Sequence, residues 1–300
     1  MRTILAHRKD VHGLAFAHDG RTLASVGGQS WAAFVWDVRS GNRVYKLPFR
    51  RERGRAVACG PDGLVAASDN ENAVRVWRLP AGDRVAGITL PAVPDPDPDS
   101  NEPDYIPART LAFLPNGKGL VTAAEHVRVW DLVPGDPPFR EAPTYHREFQ
   151  AVGVSPDGAR VAFGSLTTVG CWWPATGEVR LLANVGAQVH ALAFAPSADE
   201  LAVACGHRVR VFDPAADRPR FDLVGHQGMV WKVAYTPDGT RLVTASSDGS
   251  VRFWDAATGA ARGSFDWQTG KVRCVAVAPD GLTVASGGQD GRIIVADVDP

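Results

Sequence analysis

One stretch of this 300-residue chain contains the three residue types of a nucleophilic triad, His226, Ser246 and Asp248. In a serine hydrolase the His takes the hydroxyl proton and the carboxylate orients the imidazole. A triad is defined by geometry and not by order along the chain. Whether these side chains can act on a substrate therefore depends on the elements that carry them.

The chain repeats a turn and a strand end seven times. The turns begin at His18, Pro61, Pro115, Pro156, Pro196, Pro237 and Pro279. The strands that follow end at Trp36, Trp77, Trp130, Trp173, Phe212, Trp254 and Ala296. These ends recur at intervals of 39 to 53 residues. Four short strands in a period of this length are typical of a propeller blade.

The sixth unit shows the pattern most clearly. Its first strand, 229–235, reaches the turn Pro237-Asp238-Gly239, in which Pro fixes φ and Gly accepts a positive φ. Strands over 241–246, 250–255 and 260–265 follow, each after a tight turn. Within one unit we call the four strands a, b, c and d. The unit is predicted to be an antiparallel meander.

With Gly225-His226, the Pro-Asp-Gly turns and the Trp-Asp strand ends, the chain resembles the WD40 repeat family over essentially its full length. The resemblance implies an all-β fold, a seven-bladed β-propeller of four-stranded antiparallel blades. It also implies a buried hydrogen-bonded chain within each blade, carried in the sixth blade by His226, Ser246, Asp248 and Trp254. On this interpretation the triad residue types are structural, and no catalytic residue is predicted.

We predict a single domain over residues 1–300, forming a complete propeller. The N-terminal strand, 2–6, is expected to close the ring as strand d of the last blade, because that unit ends after its strand c. The predicted blades span approximately 7–48, 49–90, 108–142, 146–183, 186–224, 225–265 and 267–300 plus 2–6.

The composition limits the classes of partner. Lys and Arg number 32 against 33 Asp and Glu, so the chain lacks the basic surplus typical of nucleic-acid binding. No apolar run approaches the length of a membrane-spanning helix. The four cysteines are scattered, which argues against a zinc site and favours the cytoplasm. We expect no cofactor, no metal, no nucleic acid and no membrane.

The resemblance places the d–a and b–c connections on one face of the disc, here called the top face. Residues on those connections are candidates for binding a partner: Trp31, Arg51, Arg53, Tyr105, Met229, Trp231 and Trp267. The tryptophans fall in consecutive blades and form either an adhesive sector or packing beneath the loops. The acidic segment 91–104 is a solvated spacer, a partner-binding loop or a metal site. Pairing with the basic segment 50–55 is a further alternative that the sequence leaves open.

The predicted function is a non-catalytic scaffold that binds a protein or peptide on the top face. The alternative is a propeller enzyme, similar to a hydrolase or lactonase, with a metal at the channel mouth; a third reading is a sensor beside a separate catalytic partner. The strands predicted to line the channel are apolar and small. His12 and His190 are therefore expected to be polar rim residues and not metal ligands.

Overall fold

The computed structural model describes residues 1–49, 53–70, 72–91, 106–133, 137–144, 148–196, 200–214, 218–266 and 270–298. The described residues form 28 strands, arranged as seven antiparallel sheets of four, and they contain no helix. The predicted fold class, a seven-bladed propeller, is confirmed.

The strands follow one another in the order a to d within each blade. The chain begins with β1 (Arg2–Leu5), and blade 1 contains β2 (Val11–Phe16), β3 (Thr22–Gly27), β4 (Ala32–Asp37) and β5 (Arg43–Pro48). Blade 2 contains β6 (Gly54–Cys59), β7 (Leu64–Asp69), β8 (Ala73–Arg78) and β9 (Asp83–Thr89). Blade 3 contains β10 (Thr110–Phe113), β11 (Gly119–Ala123), β12 (Val127–Asp131) and β13 (Phe139–Glu141).

The remaining four blades repeat this arrangement. Blade 4 contains β14 (Phe149–Val154), β15 (Val161–Ser165), β16 (Thr168–Trp172) and β17 (Val179–Asn184). Blade 5 contains β18 (Val189–Phe194), β19 (Leu201–Cys205), β20 (Arg208–Asp213) and β21 (Arg218–Val224). Blade 6 contains β22 (Val230–Tyr235), β23 (Arg241–Ser246), β24 (Ser250–Asp255) and β25 (Ala261–Asp266). Blade 7 contains β26 (Val272–Val277), β27 (Thr283–Gly288) and β28 (Arg292–Asp297).

The core of the protein lies between the blades. Each strand a contacts the strands a of the two neighbouring blades, and β26 contacts β2, so the ring is closed. Seven clusters of buried side chains occupy the seven junctions. Between blades 1 and 2, for example, Val26 and Val35 pack with Val57, Val65 and Trp77. Each blade therefore depends on both neighbours to bury its faces.

The predicted closure by the N-terminal strand is also confirmed. β1 pairs antiparallel with β28, with Ile4 opposite Ile293, and it completes the sheet β1-β28-β27-β26. Ile4 is buried at 4% exposure, whereas its neighbour Leu5 is 79% exposed. The closing strand thus covers an open sheet edge and fills the junction with blade 1.

The a–b turns form as the sequence indicates. In blade 6 the Asp238 carboxylate accepts hydrogen bonds from the Thr240 backbone N–H, at 3.0 Å, and from the Thr236 hydroxyl. Gly239 has φ of 71°, and its N–H donates to the Thr236 carbonyl at 2.9 Å. The positive φ explains why glycine occupies this position.

One strand end was misplaced from the sequence. In blade 4 the buried tryptophan is Trp172, at 1% exposure and opposite Val161, whereas Trp173 is only partly buried. Trp254 has the equivalent place opposite Leu242 in blade 6. Successive strand side chains point to opposite faces, so a shift of one residue exchanges the buried side chain for the outer one.

Deletion of residues 1–6 should lower the melting temperature markedly, because it removes the outer strand of blade 7 and exposes its edge. Within that strand, Ile4→Ala should lower the free energy of unfolding by about 2–4 kcal/mol, since it leaves a cavity at a blade junction. Thermal unfolding measures the first change and urea denaturation the second.

Leu5→Ala is the matched control for Ile4→Ala. Leu5 lies in the same strand but faces solvent, so the substitution should change the free energy of unfolding by no more than about 0.5 kcal/mol. Equal effects of the two substitutions, or an unchanged melting temperature after the deletion, would contradict this closure.

Candidate functional site

A β-bulge near the start of strand a recurs around the ring. The register with strand b shifts at the second residue of β2, β6, β14, β18, β22 and β26. A bulge leaves one residue unpaired and re-aims its side chain. In blade 3 the equivalent residue directly precedes β10, and its N–H donates to the Ala123 carbonyl. From blade 1 to blade 7 these residues are His12, Arg55, Arg109, Gln150, His190, Trp231 and Arg273.

These seven side chains meet at one end of the central channel. Together with Thr110 and Lys232 they line a cavity of about 210 Å³. We call this cavity the channel mouth. It lies on the top face, because each lining residue stands at the beginning of a strand a, where the d–a connection arrives. Every blade contributes one side chain from this position to it.

The channel mouth carries an excess of positive charge. Its described lining contains Arg55, Arg109, Lys232 and Arg273 and includes no carboxylate. Partial burial and the nearby Arg109 guanidinium lower the pKa of Arg55. Burial likewise lowers the pKa of Lys232. Outside the lining, the Asp10 carboxylate approaches Arg273, with 3.1 Å between Oδ2 and Nε.

The two histidines of the mouth are held in the neutral form. Burial lowers the pKa of both His12 and His190. His12 Nδ1 donates to the Gly54 carbonyl at 3.1 Å. The His190 ring packs against Trp231, with 4.5 Å between ring centroids, and the Arg273 guanidinium lies 5.7 Å from the same indole.

Two polar atoms of the lining, His190 Nε2 and Trp231 Nε1, are buried without a hydrogen-bond partner in the described part of the chain. Arg273 Nε has the Asp10 carboxylate as its ion-pair partner. Among the described residues, no group of three or more His, Cys, Asp or Glu side chains is placed to hold a metal ion. The lining therefore offers positive charge and hydrogen-bond donors without forming a recognisable metal site.

A second polar arrangement lies inside blade 6. Trp254 Nε1–H donates to Thr244 Oγ1 at 2.9 Å, and that hydroxyl lies 2.7 Å from His226 Nε2. His226 Nδ1 lies 2.8 Å from the Asp248 carboxylate. The bonds assign the proton to Nδ1, which donates to Asp248, while Nε2 accepts from Thr244. We call these four residues the His226 network.

The hydroxyl of this network is Thr244 and not Ser246, so that assignment from the sequence was wrong. Trp254 lies opposite Leu242, which makes Thr244 its diagonal neighbour. Ser246 lies two residues further along the strand, and its Oγ instead accepts from the Asp248 backbone N–H at 3.2 Å. The triad residue types consequently do not form a catalytic triad here. Ser246 is fully buried and has no hydrogen bond to His226 in the described structure.

The charges of the network follow from its burial. Desolvation lowers the pKa of His226 despite the adjacent carboxylate, which acts to raise it. Burial acts to raise the pKa of Asp248, but hydrogen bonds from Ser250 and His226 outweigh it and hold that pKa below its usual range. The hydrogen bond between the neutral imidazole and the carboxylate favours one arrangement of these side chains within the blade.

Blade 1 contains a related network, although it has no aspartate in the equivalent turn. Trp36 Nε1–H donates to Ser25 Oγ at 2.8 Å, and Ser25 also bonds to His7 Nε2. Ser30 replaces the aspartate, with its Oγ 2.8 Å from His7 Nδ1. Burial lowers the pKa of His7 to about 4.

The structure separates the residues predicted to bind a partner. Trp31 is 63% exposed and lines a cleft with Arg8, Arg43 and other residues of blade 1. Trp231 lines the channel mouth, so these two tryptophans do not share a pocket. Met229 is 41% exposed.

Arg53, another of the residues predicted to bind a partner, is exposed. Three of the predicted residues, and most of the acidic segment, lie outside the described residues: Arg51, Tyr105, Trp267 and 92–104.

Three stretches of the chain, 1–37, 217–255 and 260–297, match the family model described as WD domain, G-beta repeat. The chain is 27% identical over 237 residues to Periodic tryptophan protein 2 of Arabidopsis thaliana, an alignment that covers 75% of this chain and only 24% of that protein.

Two other relatives are matched over most of their length. Identity to Protein LST8 homolog of Drosophila melanogaster is 22% over 245 residues, covering 77% of this chain and 75% of the relative. Identity to Angio-associated migratory cell protein of Homo sapiens is 25% over 310 residues, covering 86% and 70%. The described residues contain no helix long and apolar enough to span a membrane.

Thr244→Val should lower the free energy of unfolding by about 2–4 kcal/mol, because it leaves the buried Trp254 N–H and His226 Nε2 without partners. Ser246→Ala, the control in the same strand, should cost about 1 kcal/mol because it removes one backbone contact. Chemical denaturation compares the two. A larger loss for Ser246→Ala would show that Ser246 supplies the hydroxyl.

The stability of the protein should fall as the pH falls from about 6.5 to about 4. The unfolded chain protonates His7 near its ordinary pKa of 6.5, while burial holds the folded pKa at about 4. The unfolded state therefore binds more protons in this window, which removes up to about 3 kcal/mol of stability. Urea titrations at several pH values measure the loss. His7→Gln should show a smaller dependence, and an identical slope would exclude His7 as its source.

Proposed function

Since the chain is a seven-bladed propeller that carries WD40 repeats, we propose that it is a non-catalytic scaffold that binds a protein or peptide on its top face. The single observation that supports this most is the channel mouth, to which every blade contributes a side chain from the beginning of its strand a. A closed ring with a core at every junction is a rigid support for such a surface. Function in the cytoplasm, where the four free cysteines stay reduced, is part of the same proposal.

The proposed surface combines the channel mouth with apolar side chains around it. Trp231 combines a large apolar ring with an unpartnered N–H, a combination typical of interface hot spots. Met229, two residues before it, is exposed and adaptable in shape. Arg53 and Trp31 extend the surface outward, and Arg51, Tyr105 and Trp267 are assigned to it from the sequence.

No observation on the described residues favours the metal-dependent enzyme over the scaffold. The lining of the mouth is basic, and a divalent cation binds oxygen, nitrogen or thiolate ligands that are neutral or negative. Elemental analysis of the purified protein tests the alternative directly. One stoichiometric divalent ion per chain would favour the enzyme.

Immobilised protein should capture a partner from native extract, and Trp231→Ala should reduce the captured amount by about tenfold or more. Truncation of a tryptophan at the centre of an interface commonly costs about 2 kcal/mol of binding free energy or more, which is a loss of roughly thirtyfold in affinity. Met229→Ala should weaken the same capture by a smaller factor. Quantitative mass spectrometry of the eluates gives the measurement.

Leu282→Ala is the control for this experiment. Leu282 is 65% exposed but belongs to the a–b turn of blade 7, at the opposite end of its strand a from the channel mouth. The Leu282→Ala variant should retain every partner that the unchanged protein captures. If Trp231→Ala also retains them all while its melting temperature is unaltered, the top-face surface around Trp231 is not the binding site.

A further inference from the structure

We propose that the channel mouth is an oxyanion-binding subsite, which accepts a carboxylate or phosphate group carried by a bound peptide. The inference rests on the proposed function for the peptide, but the recognition of the anion follows from the lining itself. The sequence alone does not indicate this subsite, because the strands that line the channel consist mostly of small apolar residues.

The first support is an excess of positive charge. Arg55, Arg109 and Arg273 come from three different blades and are held at one cavity, with Lys232 beside them. Arg273 is paired with Asp10, whereas no carboxylate among the described residues forms an ion pair with Arg55 or Arg109. Burial, with a smaller contribution from the nearby Arg109 guanidinium, lowers the pKa of Arg55. An anion between these groups would replace repulsion with attraction.

The charge that opposes this cluster is small. Asp10 is the carboxylate that approaches the cluster in the described structure, and it lies beside Arg273 at the edge. His12 and His190 face the cavity in the neutral form, because burial lowers the pKa of each. The positive potential of the cavity therefore comes from the arginines and Lys232.

The second support is a buried donor without an acceptor. Trp231 Nε1–H is buried and has no hydrogen-bond acceptor among the described residues. Buried donors in folded proteins are nearly always satisfied. A carboxylate or phosphate is acceptor-only in its ionised form, so it matches a lining of this kind better than an amide or a cation does.

The size of the mouth limits the ligand. A cavity of about 210 Å³ equals the volume of about seven liquid waters. It accommodates the end of one acidic or phosphorylated side chain, and the remaining peptide must lie outside on the top face. Arginine forks suit both groups, since each can accept paired hydrogen bonds from a guanidinium.

The test uses the full chain and three peptides with blocked termini. The peptides are identical except for the central residue, which is glutamate, phosphoserine or glutamine. Inorganic phosphate and acetate serve as minimal probes. Isothermal titration at low, fixed ionic strength gives the dissociation constants. At least one of the two anionic peptides should bind about tenfold or more tightly than the glutamine peptide. The tighter of the two identifies the source of the anion.

Arg55→Gln combined with Arg109→Gln should weaken anionic peptide binding at least about tenfold and leave the glutamine peptide unchanged. Arg78→Gln combined with Arg84→Gln is the matched control. It removes the same number of charges from exposed side chains of blade 2 outside the lining, and should change binding by no more than about twofold. Because all four arginine side chains are exposed, each double variant should keep its melting temperature.

Equal binding of the three peptides, or equal losses in the control double variant and in the Arg55/Arg109 double variant, would overturn the subsite. The scaffold proposal fails separately. If partner capture still depends on Trp231 while no anionic probe binds, the oxyanion subsite is wrong and the scaffold stands. If phosphate or acetate binds through Arg55 and Arg109 while Trp231→Ala retains every partner, the anion site stands without the scaffold.

Discussion

Burial of apolar side chains between neighbouring blades is the interaction on which the rest of this structure depends. A four-stranded sheet of this size has two faces to cover, and each face is covered by the adjacent blade. The seven clusters of buried residues therefore form a cycle with no outer end. Pairing of β1 with β28 belongs to this cycle, since Ile4 packs at the junction of blades 7 and 1.

In each strand of type a, the bulge distinguishes the residues that fill the blade junctions from the residue that faces the channel. On either side of each bulge the chain supplies buried side chains, such as Val230 and Val233 in blade 6. The bulged residue itself is turned toward the channel and is free of the requirement to fill a junction. Residue types as different as Gln150, Trp231 and Arg273 consequently occupy equivalent positions in one fold.

The architecture could be predicted because it depends on features that are local in sequence. Pro-Asp-Gly turns set the strand boundaries, and their period sets the number of blades. The two errors, Ser246 for Thr244 and Trp173 for Trp172, concern register. Thr244 and Ser246 point to the same face of their strand, so alternation cannot choose between them. The choice depends on which residue is diagonal to the tryptophan across the sheet, a rule that Ser25 and Thr122 also follow.

The channel mouth was missed for a related reason. Regular alternation assigns the side chains of strand a to two faces, and a bulge interrupts that alternation at one residue. His12 and His190 were noticed as isolated residues, while Arg55, Arg109 and Arg273 were not connected with them. Only the ring places them side by side, because more than 260 residues of chain separate His12 from Arg273, its neighbour in space.

The order of the bulged residues around the ring makes the channel mouth lopsided. The three arginines come from blades 7, 2 and 3, with His12 of blade 1 between them, whereas blades 4, 5 and 6 contribute Gln150, His190 and Trp231 together with Lys232. The nearly sevenfold framework gives no reason for a ligand to prefer one rotation about the channel axis. The uneven perimeter supplies that reason, with an arginine-rich arc on one side and a mixed polar and aromatic arc on the other. A ligand bound there would therefore have one preferred orientation about the channel axis, so the sides of the disc are distinguishable as well as its two faces.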